Sequence, residues 1–132
     1  MNFSGTILLV DDEAHIRKFV GLILKQLGTG RLLEAGNGEE ALVIYQRENP
    51  DLVLLDVNMP MMDGMETLRQ LKIIDPDCVV IMLTSLTNRK SVEEALALGA
   101  INYIRKDTPK EEIARALTET IEACFKPEDL TP

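Results

Sequence analysis

Tryptophan is absent from this chain of 132 residues, and three Phe, two Tyr and the single histidine, His15, are all its aromatic rings. The core must therefore be built from aliphatic side chains. Cysteine is scarce too: Cys78 and Cys124 form no Cys-x-x-Cys pair and share no neighbourhood with a histidine, which leaves neither a thiolate zinc site nor a disulfide framework. Both are expected to be reduced neighbours of the core. No apolar run approaches the ~20 residues that cross a bilayer, and residues 79–83 are among the longest. No signal peptide is expected. Positive charge is in deficit as well, with 14 Lys and Arg against 22 Asp and Glu for a net charge of -8. That balance argues against unaided binding to nucleic acid or an anionic membrane surface. The expectation is a single cytoplasmic domain whose partners are proteins or cations.

What the chain does have is a regular alternation. Residues 6–10, Thr-Ile-Leu-Leu-Val, are nearly all apolar and end at Asp11, as in a strand covered on both faces (β1). Ile16, Phe19, Val20, Ile23, Leu24 and Leu27 then recur at three- and four-residue steps, the spacing of one buried helix face (α1), which Gly28-Thr29-Gly30 stops. The pattern repeats with β2 at 32–35, α2 at 39–47, β3 at 52–55, α3 at 65–74, β4 at 79–83, α4 at 92–98, β5 at 101–104 and α5 from Pro109 to about Phe125. Asn49-Pro50 and Asp75-Pro76 punctuate helix ends, and Thr108 with Glu111 predicts a capping box around Pro109.

Five strands alternating with five helices imply right-handed crossovers and an α/β fold with one doubly wound parallel sheet, flavodoxin-like. The strands at 6–10, 52–55 and 79–83 are the most apolar, whereas β2 carries Arg31 and Glu34 and β5 precedes Arg105 and contains Asn102. Polar strands suit edges, so the predicted order is 2-1-3-4-5. In such sheets ligands bind beyond the carboxyl ends of the strands at the switch point between β1 and β3. Asp11, Asp12 and Asp56 stand there.

Three carboxylates in one place repel each other unless they take up protons or a hard cation neutralises them. An all-oxygen donor set without His or Cys favours Mg²⁺ or Mn²⁺ over Zn²⁺. Taken alone, Asp11-Asp12 better suits a cap at the start of α1, where acidic residues meet free N–H groups. Capping does not require an acid at the end of the neighbouring strand, and Asp56 supplies one. Thr84 after β4 and Lys106 after β5 converge on the same point. A carboxylate nucleophile, a cation, an ammonium and a hydroxyl form a phosphoryl-transfer site, with Asp56 as phosphoacceptor, Lys106 stabilising charge and Thr84 donating to the product.

The stretches Ile7-Leu8-Leu9-Val10-Asp11-Asp12-Glu13, Leu54-Leu55-Asp56-Val57-Asn58-Met59-Pro60, Met62-Asp63-Gly64, Leu83-Thr84-Ser85 and Ile104-Arg105-Lys106 occur in an order and spacing that strongly resemble the receiver domain of bacterial response regulators. The resemblance implies that Asp56 takes its phosphoryl group from a phosphohistidine of a histidine kinase or histidine phosphotransfer protein. It implies Mg²⁺ held by Asp12 directly, by Asp11 mainly through water, by Asp56 and by the Asn58 backbone carbonyl. It also implies a Ser85 backbone N–H on the phosphoryl group and Tyr103 as a switch aromatic coupled to Thr84. The expected domain is a signalling switch rather than an enzyme, catalysing only its own phosphoryl transfer and slow dephosphorylation. Its readout surface is α4, β5 and α5, including Arg89, Lys90, Glu93, Asn102, Lys110 and Glu112. Output passes to a downstream protein or to a C-terminal domain, as a monomer or a phosphorylation-dependent dimer.

Two features depart from the family pattern. Lys106-Asp107 replaces the common Lys-Pro, so a trans peptide is expected there. Asn102 stands where dimerising receivers often have Asp. The competing readings are a non-phosphorylated interaction module of the same fold, against which every phosphorylation position is present, and a flavin-binding electron carrier. The latter needs N–H and hydroxyl donors after β1, where this chain has Asp11-Asp12-Glu13. His15 is expected on the surface of α1, and Met59, Met61, Met62 and Met65 as loop and core fillers. Residues 1–126 are expected to form the domain, and 127–132 a tail or the start of a linker.

Overall fold

The computed structural model describes residues 3–59, 61–85 and 89–125; Pro60, Leu86 and the tail lie outside them. In chain order the elements are β1 (Thr6–Val10), α1 (Ala14–Gln26), β2 (Arg31–Ala35), α2 (Gly38–Glu48), β3 (Leu52–Asp56), α3 (Gly64–Ile74), β4 (Val80–Thr84), α4 (Arg89–Ala97), β5 (Asn102–Arg105) and α5 (Lys110–Cys124). All strands pair in parallel in the order β2-β1-β3-β4-β5. The edge positions of the two polar strands are those expected.

Successive residues of a strand point to opposite faces, and both faces here are apolar. Leu8, Val10, Val53, Leu55, Val80 and Met82 pack toward α2, α3 and α4. Ile7, Leu9, Leu52, Leu54, Ile81 and Leu83 pack toward α1 and α5. Each fully buried aliphatic side chain contributes roughly 1.5–3 kcal/mol, so two such layers anchor the three central strands from both sides. Phe3 adds a lid at the lower end, with its ring 4.8 Å from that of Phe125.

Local chemistry explains most element ends. Gly28, at φ 84°, takes the left-handed turn after α1, while Asn49 does the same after α2 at φ 48°. Asn37 and Asp63 cap α2 and α3, each accepting the N–H three residues on, from Glu40 and Glu66.

Several expectations are corrected. No capping box forms at α5: Pro109 itself is the N-cap, extended at ψ 145°, and no side chain caps the helix. Thr108 stands one residue too early to reach the free N–H groups. Neither Asp11 nor Asp12 caps α1, whose N-cap is Glu13. Phe19, placed on the buried stripe by spacing, is 39% exposed because it lies on the rim of the stripe that Val20, Ile23 and Leu24 bury. Met61 is no filler; at 82% exposed and φ 68° it sits in a left-handed turn facing solvent. The helix α4 starts earlier than its apolar repeat, since Arg89-Lys90-Ser91 forms a polar first turn. Each of β4 and β5 is displaced by one residue, so that Thr84 ends β4 within the ladder, paired with Arg105. The Lys106–Asp107 peptide is trans, as expected.

Gly64 shows how tightly α3 is set against the end of β3. Its N–H donates to the Val57 carbonyl at 2.8 Å. A Cβ there would collide with the Asp56 carbonyl oxygen and lie 2.7 Å from Val57 Cα, both of them backbone atoms that cannot step aside. Gly64→Ala is expected to lower the unfolding free energy by about 2–3 kcal/mol, an overpacking cost, measurable by urea denaturation.

Candidate functional site

The register of the central strands assembles the acidic pocket. Val10 pairs with Leu55, so Asp11 and Asp56, each one residue further, emerge side by side at the carboxyl edge. Asp56 then pairs with Leu83, bringing Thr84 alongside, and the ladder passes to β5 through Thr84 and Arg105. Lys106 follows directly, with its N–H donating to the Thr84 carbonyl at 2.7 Å.

Burial around this point is nearly complete. Asp11 is 0% and Asp56 2% exposed, Thr84 is buried, and the Lys106 side chain is 8% exposed. Asp12 is exposed at the mouth, as are Asn58 and Ser85. One oxygen from each of Asp11, Asp12 and Asp56 lies within 4.8 Å of the others. The Lys106 ammonium sits among them, 2.6 Å from Asp11 Oδ2, 3.1 Å from Asp56 Oδ1 and 3.8 Å from Glu13 Oε1. Asp11 Oδ1 accepts from the Glu13 N–H at 2.9 Å, and Asp56 Oδ1 from the Asn58 N–H at 3.3 Å.

These contacts set the charges. Burial, reinforced by the negative charge of Asp11, pushes the Asp56 carboxyl up to about 6, against the opposing pull of Lys106 and the Asn58 N–H. Burial alone would lower Lys106, but its hydrogen bonding and charge pairing with Asp11 and Asp56 outweigh that and hold it above the usual lysine range. Lys106 therefore stays cationic at neutral pH. For Asp56 the folded chain binds its proton more tightly than the unfolded chain does. Its effect on stability is thus most favourable below about pH 4 and is lost as pH rises through about 6. Metal-free protein is expected to lose about 2–3 kcal/mol from this group between those limits. Asp56→Asn should flatten that part of a denaturation–pH profile.

Two oxygens test whether a cation fits. Asp56 Oδ2 is buried and accepts no hydrogen bond, and buried Asp11 Oδ2 has only the Lys106 ammonium, at 2.6 Å. Buried carboxylate lone pairs short of donors, in an all-oxygen set open at Asp12, are what a hard divalent cation satisfies. The residues fit Mg²⁺.

Tyr103 lies on β5, half-buried and packed against the apolar layer under α2, α3 and α4. Of the residues expected on the readout surface, Asn102 Nδ2 donates to Thr120 Oγ1 of α5 at 3.0 Å, and Arg89 pairs with Glu93 along α4. His15 is exposed beside Glu13. Two features escaped sequence reasoning. Lys106 acts as counter-ion to both buried acids, and Arg17 donates to the Asp11 carbonyl. The position of Arg17 in the first turn of α1, next to an apolar stripe, was its only signal.

A sequence model of the response regulator receiver domain matches residues 7–118. The chain belongs to that family. It is thus a receiver domain of two-component signalling, whose general family function is switching by phosphorylation. Among curated relatives it is similar to the chemotaxis protein CheY of Bacillus subtilis, 35% identical over 87% of this chain and 96% of that protein. It is also similar to the probable transcriptional regulator ycf27 of Porphyridium aerugineum, 43% identical over 83% of this chain. The matched part spans only 45% of that regulator's length. Among solved structures, a chain of the CheX–CheY–BeF3–Mg²⁺ complex from Borrelia burgdorferi superposes with a TM-score of 0.83 at 30% identity, covering 92% of this receiver and 90% of that chain. No helix among the described residues is long and apolar enough to cross a membrane.

Proposed function

We propose that this receiver accepts a phosphoryl group on Asp56 from a phosphohistidine of a histidine kinase or phosphotransfer protein and signals through its α4, β5 and α5 surface. The observation that carries the reading is the convergence of Asp56, Asp11 and Lys106 within ion-pair distance in a pocket almost closed to solvent. A carboxylate oxygen of Asp56 bonds to phosphorus as the phosphorus–nitrogen bond of the donor imidazole breaks, and the electron pair leaves on that nitrogen. Asp56 must be ionised to attack, and above about pH 6 it is.

Asp11, Asp12, Asp56 and the Asn58 carbonyl are the residues that would hold Mg²⁺. When bound, the ion supplies charge neutralisation for the phosphoryl oxygens. Lys106 exchanges part of its pairing with the carboxylates for a phosphoryl oxygen, and Thr84 and the Ser85 N–H donate to the others. The added dianion then favours the arrangement in which Thr84 and Lys106 contact it, with Tyr103 following. Slow hydrolysis of the acyl phosphate resets the switch, and no separate substrate is turned over. Residues 1–126 act as the switching unit, in the cytoplasm. The stand-alone B. subtilis relative and the longer ycf27 regulator favour two forms of output, a separate protein or an attached domain.

The BeF3–Mg²⁺ neighbour suggests the test. Beryllofluoride with Mg²⁺ is expected to shift the amide resonances of Asp56, Thr84, Ser85, Tyr103 and Lys106, and to propagate to α4. Spectra unchanged at these positions, with Mg²⁺ saturating, would count against switching and favour a constitutive interaction module.

A further inference from the structure

Arg17 reaches from the first turn of α1 across the end of β1 with two sides of its guanidinium engaged. Nη1 donates to the Asp11 carbonyl at 2.6 Å, and Nε donates to Glu34 Oε1 on β2 at 3.1 Å. The side chain is only 22% exposed. On the other side of the same residue, the Asp11 N–H donates to the Ala35 carbonyl at 3.1 Å. Both peptide units flanking Asp11 are thereby held, one by the end of β2 and the other by Arg17.

The carbonyl that Arg17 holds belongs to the peptide joining Asp11 to Asp12. Such a unit is rigid and planar, so fixing its oxygen fixes the direction from which the Asp12 Cα departs. The two carboxylates assigned to the metal are thus set relative to one another by a hydrogen bond that neither side chain makes. We propose that Arg17 is a positioning residue for the metal site, orienting the Asp11–Asp12 peptide, with Glu34 locking its guanidinium in place. The inference rests on the Mg²⁺ reading of Asp11, Asp12 and Asp56.

The sign of the effect separates positioning from simple electrostatics. A guanidinium beside an acidic pocket repels a second cation, so removing its charge would by itself tighten Mg²⁺ binding. Loss of positioning acts the other way, and supports of this kind commonly change metal affinity by about 10–100-fold. Glu34 pairs with the guanidinium and offsets much of its field, so positioning is the larger of the two.

The test is an Mg²⁺ titration of the full chain, followed by the amide resonances of Asp11, Asp12 and Asn58, with urea denaturation of the same variants in chelator. Arg17→Gln is expected to weaken Mg²⁺ binding about tenfold. Arg17→Lys keeps the charge and a donor for the carbonyl but loses the fork to Glu34, and a roughly threefold weakening is expected. Stability that falls while Mg²⁺ affinity stays the same or tightens in both variants would overturn the inference. Should Arg17→Gln fail to fold, Arg17→Lys decides alone, since its charge is that of the parent. If the parent chain gives no saturable Mg²⁺ response at these amides, the metal reading itself falls, a result distinct from parent binding with insensitive variants.

Discussion

Asp56→Asn is expected to take up no phosphoryl group from any donor and, in metal-free buffer at neutral pH, to be more stable than the parent by about 1–3 kcal/mol. The two outcomes share one cause. An ionised carboxylate is the nucleophile the chemistry needs, and it is also what this site holds at a cost. The group is nearly fully buried beside Asp11, and its carboxyl is raised to about 6. The amide preserves the shape and an oxygen for the Asn58 N–H, while Lys106 keeps Asp11 as its ion partner. Phosphorylation assayed with phosphoramidate, whose phosphorus–nitrogen bond resembles that of phosphohistidine, and urea denaturation in chelator measure both. A variant less stable than the parent by more than about 1 kcal/mol would contradict the assignment of strain to Asp56.

Lys106→Met should act in opposite directions on metal binding and on chemistry. Removing the ammonium leaves two buried carboxylates without their counter-charge, and breaking a buried pair in this way costs about 3–5 kcal/mol. Uptake of a proton by Asp56 limits the loss, so about 3 kcal/mol is expected in chelator. Mg²⁺ no longer competes with an ammonium 2.6 Å from Asp11 Oδ2, and its affinity should rise about tenfold. Stability is then recovered at millimolar Mg²⁺ by ordinary linkage. Phosphoryl transfer should nonetheless fall by about 10²-fold or more, because the charge that meets the phosphoryl oxygens is gone. Calorimetric titration and single-turnover phosphorylation separate the two effects. A variant that binds Mg²⁺ no better than the parent would mean that Lys106 and the ion occupy different parts of the pocket.

How much of this was legible in the sequence differs from residue to residue, for physical reasons. Strand order followed from which strands tolerate charge: Arg31 and Glu34 on β2 and Asn102 and Arg105 on β5 are polar because an edge leaves them in water, and topology then brought Asp11 and Asp56 together. Helix starts were harder to read. Pro109 is compatible with both the N-cap and the first helical position, and only its ψ of 145° decides between them. Phe19 and Met61 misled because spacing reports which side of an element is apolar, whereas exposure depends on what packs over that side. Acid clustering in the site was visible in the sequence, but its metal-free neutralisation was not. That depends on the side chain of Lys106 folding back over two acids, a tertiary contact across 95 and 50 positions of chain. Arg17 was hard to read for a similar reason, since its contact with the site is to a backbone carbonyl, which leaves no mark on side-chain pattern.

The direct test of the phosphoacceptor assignment is chemical trapping. The full chain, phosphorylated in Mg²⁺ by phosphoramidate or a phosphohistidine donor, is reduced with borohydride, which converts an aspartyl phosphate to homoserine, and the modified residue is located by peptide sequencing. Homoserine at position 56 alone is the expected result. Homoserine at position 11 or 12 instead, or none in protein shown to be folded and Mg²⁺-bound, would contradict it.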